Sequence, residues 1–338
     1  MVEGSTRATE LLEEAERLLD ERFVEEAWSS FLAAEGAGAD PDRCSAGKWQ
    51  VAMLRGDFEG AWEESDGVYS RGSQGADGLW SGEQIDGKRV VVRCLHGFGD
   101  AVQMVRYAPL LAARAAHVTW EVAPRLLPLM LCFRGVDDAI TWADADPEWD
   151  VQVEVMELPY LFRTTLSDLP RAQKYLALPQ EQLDFTSKQL GSRSRPRVGL
   201  VRTCGDWNPS RSVPLDKLRA LSDMDVEIWS LESKSSLDRC AVLNGRDGRE
   251  LTDGLVPLAA TIANLDAVIT PDTVAAHLAG AMGKPAFVML QFAADWRWMT
   301  ARTDTPWYPS LRLYRQPAPG DWASVVQSIR GDVERLVR

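Results

Sequence analysis

The sequence predicts an α/β protein in which two units of alternating strands and helices, each on a parallel sheet, follow a short all-helical module. Three observations carry this. Apolar residues at helical spacing fill the first 80 positions, β-branched runs alternating with helical stretches begin near Lys88, and a second such series starts at Arg197 after the polar stretch 191–196. The expected boundaries are 1–78 for the helical module, 79–192 for the first α/β domain and 193–338 for the second. The last helix is expected to pack back on the N-terminal half.

In the helical module, Leu11, Leu12, Ala15, Leu18 and Leu19 fall on one face of a helix. The pair Ala27-Trp28 recurs as Ala61-Trp62, an offset of 34 residues, which is the period of tetratricopeptide helix pairs. Two unrelated helical hairpins with a chance match would look the same. Two copies bury little core alone, so the module should pack on the neighbouring α/β domain, with 71–78 as the connector. Strands are expected at 89–95, 117–122, 151–155, 197–202, 226–231, 267–270 and 286–290. Two such halves place a ligand cleft at the carboxyl ends of their strands.

The chain of 338 residues has 45% hydrophobic and 26% charged side chains and a net charge of −13, the composition of a folded protein without the basic stripe that nucleic acid requires. Residues 1–80 carry 18 acidic and 7 basic side chains, leaving 32 and 30 for the remainder. Such acidity in the helical module suits a basic peptide or protein partner, although a solvated helical surface is its commoner meaning. A near-neutral remainder can still gather arginines at a diphosphate. Cys44, Cys94, Cys132, Cys204 and Cys240 are odd in number and lack CxxC spacing, so they read as reduced and mostly buried. No signal peptide and no run near the ~18 apolar residues of a membrane span is found, which makes the cytoplasm the expected compartment.

Three segments carry candidate chemistry. His96-Gly97-Phe98-Gly99-Asp100 follows a strand and opens a helix expected over 101–113, where Gly97 and Gly99 allow close backbone approach and the helix start favours an anion or a carboxylate. Asp100 could equally be an N-cap. Asp272-Thr273-Val274-Ala275-Ala276-His277 repeats the arrangement: Asp272 or Thr273 caps a helix whose N–H groups can hold a diphosphate, and His277 lies one turn on, as a ligand or as a structural histidine. The polar loop 202–215 offers Arg202 or Arg211 to a phosphate, unless these are solvated surface residues. Aromatics at 292–298 and 307–308 could stack on a base or close a core. Asp144-Ala145-Asp146 has a metal-binding DxD pattern but sits in a Pro-containing connection and is discounted.

Together with Leu54-Arg55-Gly56-Asp57-Phe58, Arg106-Tyr107-Ala108-Pro109-Leu110-Leu111, Arg211-Ser212-Val213-Pro214-Leu215, Asp295-Trp296-Arg297-Trp298, Trp307-Tyr308-Pro309 and Arg315-Gln316, these segments occur in a recognisable order. The chain resembles bacterial heptosyltransferase-like glycosyltransferases fused to tetratricopeptide repeats and, more distantly, the O-linked N-acetylglucosamine transferases. That resemblance implies a GT-B fold of two facing Rossmann-like domains and inverting chemistry that needs neither metal nor cofactor. It also implies a nucleotide-sugar donor in the C-terminal half and an acceptor in the N-terminal half. Asp100 then maps onto the proposed base, with His96 in the same turn as the alternative. Asp272, Thr273 and His277 map onto the donor motif. Val274 stands where relatives usually have glycine, and their loop lysine has no match, so Arg211 is its expected substitute. The expected acceptor is a glycan, a peptide or protein, or a small molecule, and the helical module is expected to help select it. Two other readings remain open: a nucleotide-sugar epimerase of the same architecture, and a catalytically idle binding protein.

Overall fold

A computed structural model describes residues 2–72, 78–170, 174–205, 208–232 and 246–336. Most of the expected connector, together with Asp206, Trp207 and Cys240, lies outside them. The chain divides into two compact units.

The first unit contains α1 (Val2–Asp20), α2 (Val24–Gly36), α3 (Pro41–Arg55) and α4 (Phe58–Ser70), with residues 159–169 and 293–302. Short-range chemistry sets the helix ends. Asp40 accepts the N–H groups of Asp42 and Arg43 ahead of Pro41, Gly56 ends α3 at φ +81°, and Asp57 caps α4 through Gly60 N–H. Leu12, Ala15 and Leu19 are buried with Ala27, Phe31, Ala34, Val51 and Leu54, so the apolar face expected on α1 is the one that packs. Ala27-Trp28 and Ala61-Trp62 occupy the same fourth and fifth positions of α2 and α4. The Trp62 indole N–H donates to Thr164 O at 2.7 Å, and Asp66 binds both Tyr160 Oη and Arg163. Trp296 meets Trp49 edge to face at 5.3 Å. Of the two sequence options for Trp296 and Trp298, core packing is the one observed: Trp298 is buried and Trp296 joins the helical cluster.

Beyond α4 the described helices include the short α7 (Leu127–Met130) and α8 (Leu158–Leu161), then α9 (Gln180–Leu190) and α10 (Leu255–Ala263). The second unit holds two parallel sheets. β1 (Arg89–Arg93), β2 (His117–Val122), β3 (Asp138–Thr141) and β4 (Val151–Glu154) form the first, in the order β3-β2-β1-β4. The other runs β10-β9-β8-β5-β6-β7, from β5 (Arg197–Leu200), β6 (Glu227–Ser230), β7 (Arg246–Asp247), β8 (Ala267–Pro271), β9 (Ala286–Leu290) and β10 (Leu311–Arg315). Both start a doubly wound order, in which the chain reverses direction across the sheet between its first and fourth strands. The reversals lie between β1 and β4 and between β5 and β8. All seven expected strands are present, and β3, β7 and β10 are additional.

Several expectations are corrected. The helix expected over 101–113 begins earlier, as α5 (Phe98–Met104), passes through a 3₁₀ turn at Val105–Tyr107 and resumes as α6 (Ala108–Ala112), because Pro109 lacks the N–H that a continuous helix would use. The C-terminal helix (Trp322–Leu336), expected to pack back on the N-terminal half, lies against the six-stranded sheet. Its residues Trp322, Val325, Val326, Ile329 and Val333 are buried with Val198, Ile228, Met289 and Tyr314 of the six-stranded sheet.

The two sheets are joined within this unit by a buried arginine. Arg106 is 3% exposed and donates to Gln103 O, Trp307 O and Tyr175 Oη. Its guanidinium lies 4.7–5.2 Å from the ring centroids of Tyr175, Trp307 and Tyr308.

Candidate active site

The carboxyl ends of the strands at the two reversals bring the sequence candidates together. After β1 the chain turns through Leu95 and His96, both exposed, to Gly97, the N-cap of α5. Asp100 is therefore not the N-cap. It sits one turn into the helix and reaches back, accepting Gly97 N–H at 3.0 Å, while its own N–H donates to Gly97 O at 3.1 Å. His96 Nε2 lies 3.6 Å from Glu154 Oε1, at the end of the neighbouring strand β4.

At the second reversal, β8 runs into Asp272 and then α11 (Val274–Ala281), with Thr273 as N-cap. Thr273 is extended and makes no side-chain cap hydrogen bond; its hydroxyl pairs instead with that of Thr270 at 2.9 Å. The first N–H groups of α11 thus receive no side-chain cap from Thr273, and an uncapped helix start favours an anion. Arg211 leans over this start, 3.0 Å from Asp272 O and 3.5 Å from its Oδ2. Arg202 is buried. Its N–H and that of Thr203 donate to Glu232 Oε1, and the Thr203 hydroxyl binds Glu232 Oε2. Glu232, buried after β6, thereby fixes where the loop leaves β5. Sequence reasoning missed it, although an acid closing the second strand of such a unit is a recognised signal. Burial pushes the nearby Cys204 thiol up to about 12.

His277, offered by the sequence as a ligand or as a structural histidine, is held by groups of its own surroundings. It is 3% exposed, hydrogen-bonds Tyr308 Oη through Nδ1 at 2.9 Å and faces Asp272 Oδ1 from Nε2 at 3.7 Å. Its ring lies against the glycine turn of the other half: a Cβ on Gly99 would come within 2.7 Å of His277 Cδ2. The aromatic ring of Tyr308 likewise fills the space where Gly280 has no Cβ. Thus the β1 turn and the α11 start, far apart in sequence, meet at Gly99 and His277.

The aspartates of the discounted DxD pattern have local partners. Asp144 accepts the N–H and hydroxyl of Thr141, and Asp146 pairs with Arg93 at 2.9 Å. Among the described residues no group of His, Cys, Asp or Glu side chains is arranged to hold a metal ion. A cavity of about 330 Å³ lined by Phe287, Ser310, Arg312, Asp332 and Arg335 opens at the amino ends of β9 and β10, away from both reversals.

Comparison with solved structures bears on the fold. A family 9 glycosyltransferase from Veillonella parvula superposes with a TM-score of 0.57 at 13% identity, covering 75% of this chain and 98% of that one. The ADP-heptose lipopolysaccharide heptosyltransferase II of E. coli gives 0.54 at 14% identity, covering 74% and 98%. The fold is one shared with glycosyltransferases. Among curated proteins, FlbA of Caulobacter vibrioides is 24% identical over 285 residues, which is 72% of this chain and 46% of its own length. The chain thus spans about half of that relative. No protein-family model matches the chain. Among the described residues no helix is long and apolar enough to cross a membrane.

Proposed function

We propose that the protein transfers a sugar from a nucleotide-sugar donor to an acceptor hydroxyl, with inversion and without a metal. The observation that carries this reading is the meeting of the β1 glycine turn with the start of α11 at Gly99 and His277. It sets a candidate proton acceptor and an anion-binding helix end on one crevice, at the reversal points where ligands of doubly wound sheets bind. Residues 193–338 take the donor and 79–192 the acceptor. The diphosphate sits at the N–H groups opening α11, with Arg211 beside it, so the negative charge that grows on the leaving group meets a fixed dipole and a guanidinium. His277 and Tyr308 hold that helix start in place. A side chain of the β1 turn, Asp100 or His96, takes the acceptor proton as the oxygen attacks the anomeric carbon from the face opposite the nucleotide. The helical module selects the acceptor, and the reaction takes place in the cytoplasm.

A panel of UDP, ADP, GDP, CDP and dTDP tests the donor site, since a ligand that binds the native state raises the melting temperature. One or two of the five should do so. Product analysis with the matching nucleotide sugar and no acceptor should then show slow release of nucleoside diphosphate. Conversion to a different nucleotide sugar would mean an epimerase, and no shift with any nucleotide would mean a binding protein without this activity.

A further inference from the structure

Glu154 ends β4 at the first reversal point, where its backbone pairs with Arg93 of β1. Its Oε2 accepts Met156 N–H at 2.6 Å. Its Oε1 is buried and makes no hydrogen bond among the described residues; the nearest base is His96 Nε2, 3.6 Å away. The His96 side chain is 56% exposed and that of Glu154 21%, so the carboxylate stands behind the ring and the ring stands toward solvent. Among the described residues His96 Nδ1 has no hydrogen-bond partner. The charges nearby are otherwise committed: Arg93 pairs with Glu121 and Asp146, and Asp100 closes the start of α5. Glu157 and the buried Cys94 complete the groups around Glu154.

On the glycosyl-transfer reading, we propose that His96 is the base for the acceptor hydroxyl and that Glu154 is its positioning residue. The neutral imidazole carries its proton on Nε2, directed at Glu154 Oε1, which leaves the Nδ1 lone pair facing the acceptor. The acceptor O–H proton passes to Nδ1, the acceptor oxygen forms its bond to the anomeric carbon, and the bond from that carbon to the donor phosphate oxygen breaks, its electron pair leaving on the nucleoside diphosphate. The imidazolium that forms is balanced by the carboxylate, a division of labour known from histidine bases oriented by a buried acid. Burial raises the pKa of Glu154 above the ordinary glutamate range, as expected of a carboxylate held in place without enough partners to offset desolvation.

The test uses the full chain and the nucleotide sugar whose diphosphate raises its melting temperature, with water as acceptor. Glu154→Gln should bind the diphosphate within two-fold of wild type, and release it from the sugar about 10- to 100-fold more slowly. His96→Gln should lose at least as much. The double variant should be no slower than His96→Gln alone, because residues acting as a unit are not additive. A readout independent of turnover comes from the ring nitrogens by NMR: the protein has three histidines, and the His96 signals, assigned with His96→Gln, should report a proton held on Nε2 in wild type and a mixture of the two tautomers once the carboxylate is gone. Unchanged release rate and an unchanged His96 tautomer in folded Glu154→Gln would overturn the pair, as would a loss above 100-fold confined to Asp100→Asn. A wild-type chain that binds no nucleoside diphosphate would remove the glycosyl-transfer reading itself, and the pair with it.

Discussion

Replacing Gly99 with alanine measures the contact on which the site rests. The added methyl carbon would stand 2.7 Å from His277 Cδ2 and 3.1 Å from Nε2, against about 3.5–4.0 Å for carbons in contact, so the ring must give by nearly 1 Å. It has little freedom to do so, because Nδ1 is bonded to Tyr308 Oη at 2.9 Å and Tyr308 is itself wedged against Gly280. Overpacking of this kind costs about 1–3 kcal/mol. Alanine in place of glycine in a first helical turn recovers about 0.5–1 kcal/mol through the unfolded chain. The net loss should be near 1 kcal/mol, a fall of roughly 2 °C for a chain this long. His277→Ala alone should cost about 1–3 kcal/mol, since it leaves the buried Tyr308 hydroxyl without that partner. Once the ring is gone, Gly99→Ala should cost nothing or stabilise slightly, giving a coupling of about 1–2 kcal/mol between the two sites. Melting temperatures of the four proteins read this directly. Additivity within about 0.5 kcal/mol would show that the two halves do not meet at this point.

Arg211→Ala should weaken binding of the recognised nucleoside diphosphate about 5- to 150-fold, the worth of one charge-assisted contact, and should slow sugar release. Isothermal titration checks it, and an unchanged affinity would mean that the loop after β5 does not reach the donor. Glu154 should also mark the pH dependence of stability. Its folded pKa is raised, so the native state keeps a proton that the unfolded chain has released; stability from this group is present below the ordinary glutamate range and is lost as pH rises through the raised value. Glu154→Gln should therefore match or exceed wild type in urea midpoint near pH 7 and lose that advantage near pH 4, and the opposite trend would contradict the burial.

How much was legible in the sequence depends on how local each signal is. The glycine turn and the α11 start declare themselves in a few consecutive residues, because a strand end, a small-residue turn and a helix start are neighbours along the chain. Strand β3 is four residues long and mostly half-buried, and β10 is interrupted by Arg312 and ends on Arg315 at a sheet edge, so neither has the apolar run that marks β8 or β9. Asp100 has the same residue type in either capping role, and only the backbone position separates the two. Glu154 was invisible for a different reason. In Val151–Glu154 it reads as the polar member of a strand, and it becomes part of a site only because β4 lies beside β1. His277, chosen for its place on the helix, turned out to look inward, a direction that Tyr308 and Gly99 determine.

The Arg106 cage bears on how the two sheets respond to their surroundings. An exposed pair such as Arg89 with Asp150 weakens as ions accumulate around it, over a screening length of about 8 Å at physiological ionic strength. Arg106 is held by carbonyl oxygens, a phenol and three ring faces, all shielded from bulk solvent. Added salt reaches none of these. Any widening of the crevice must then either turn about this arginine or tear a cation out of its aromatic seat, so the joint acts as a pivot equally firm in dilute buffer and in brine.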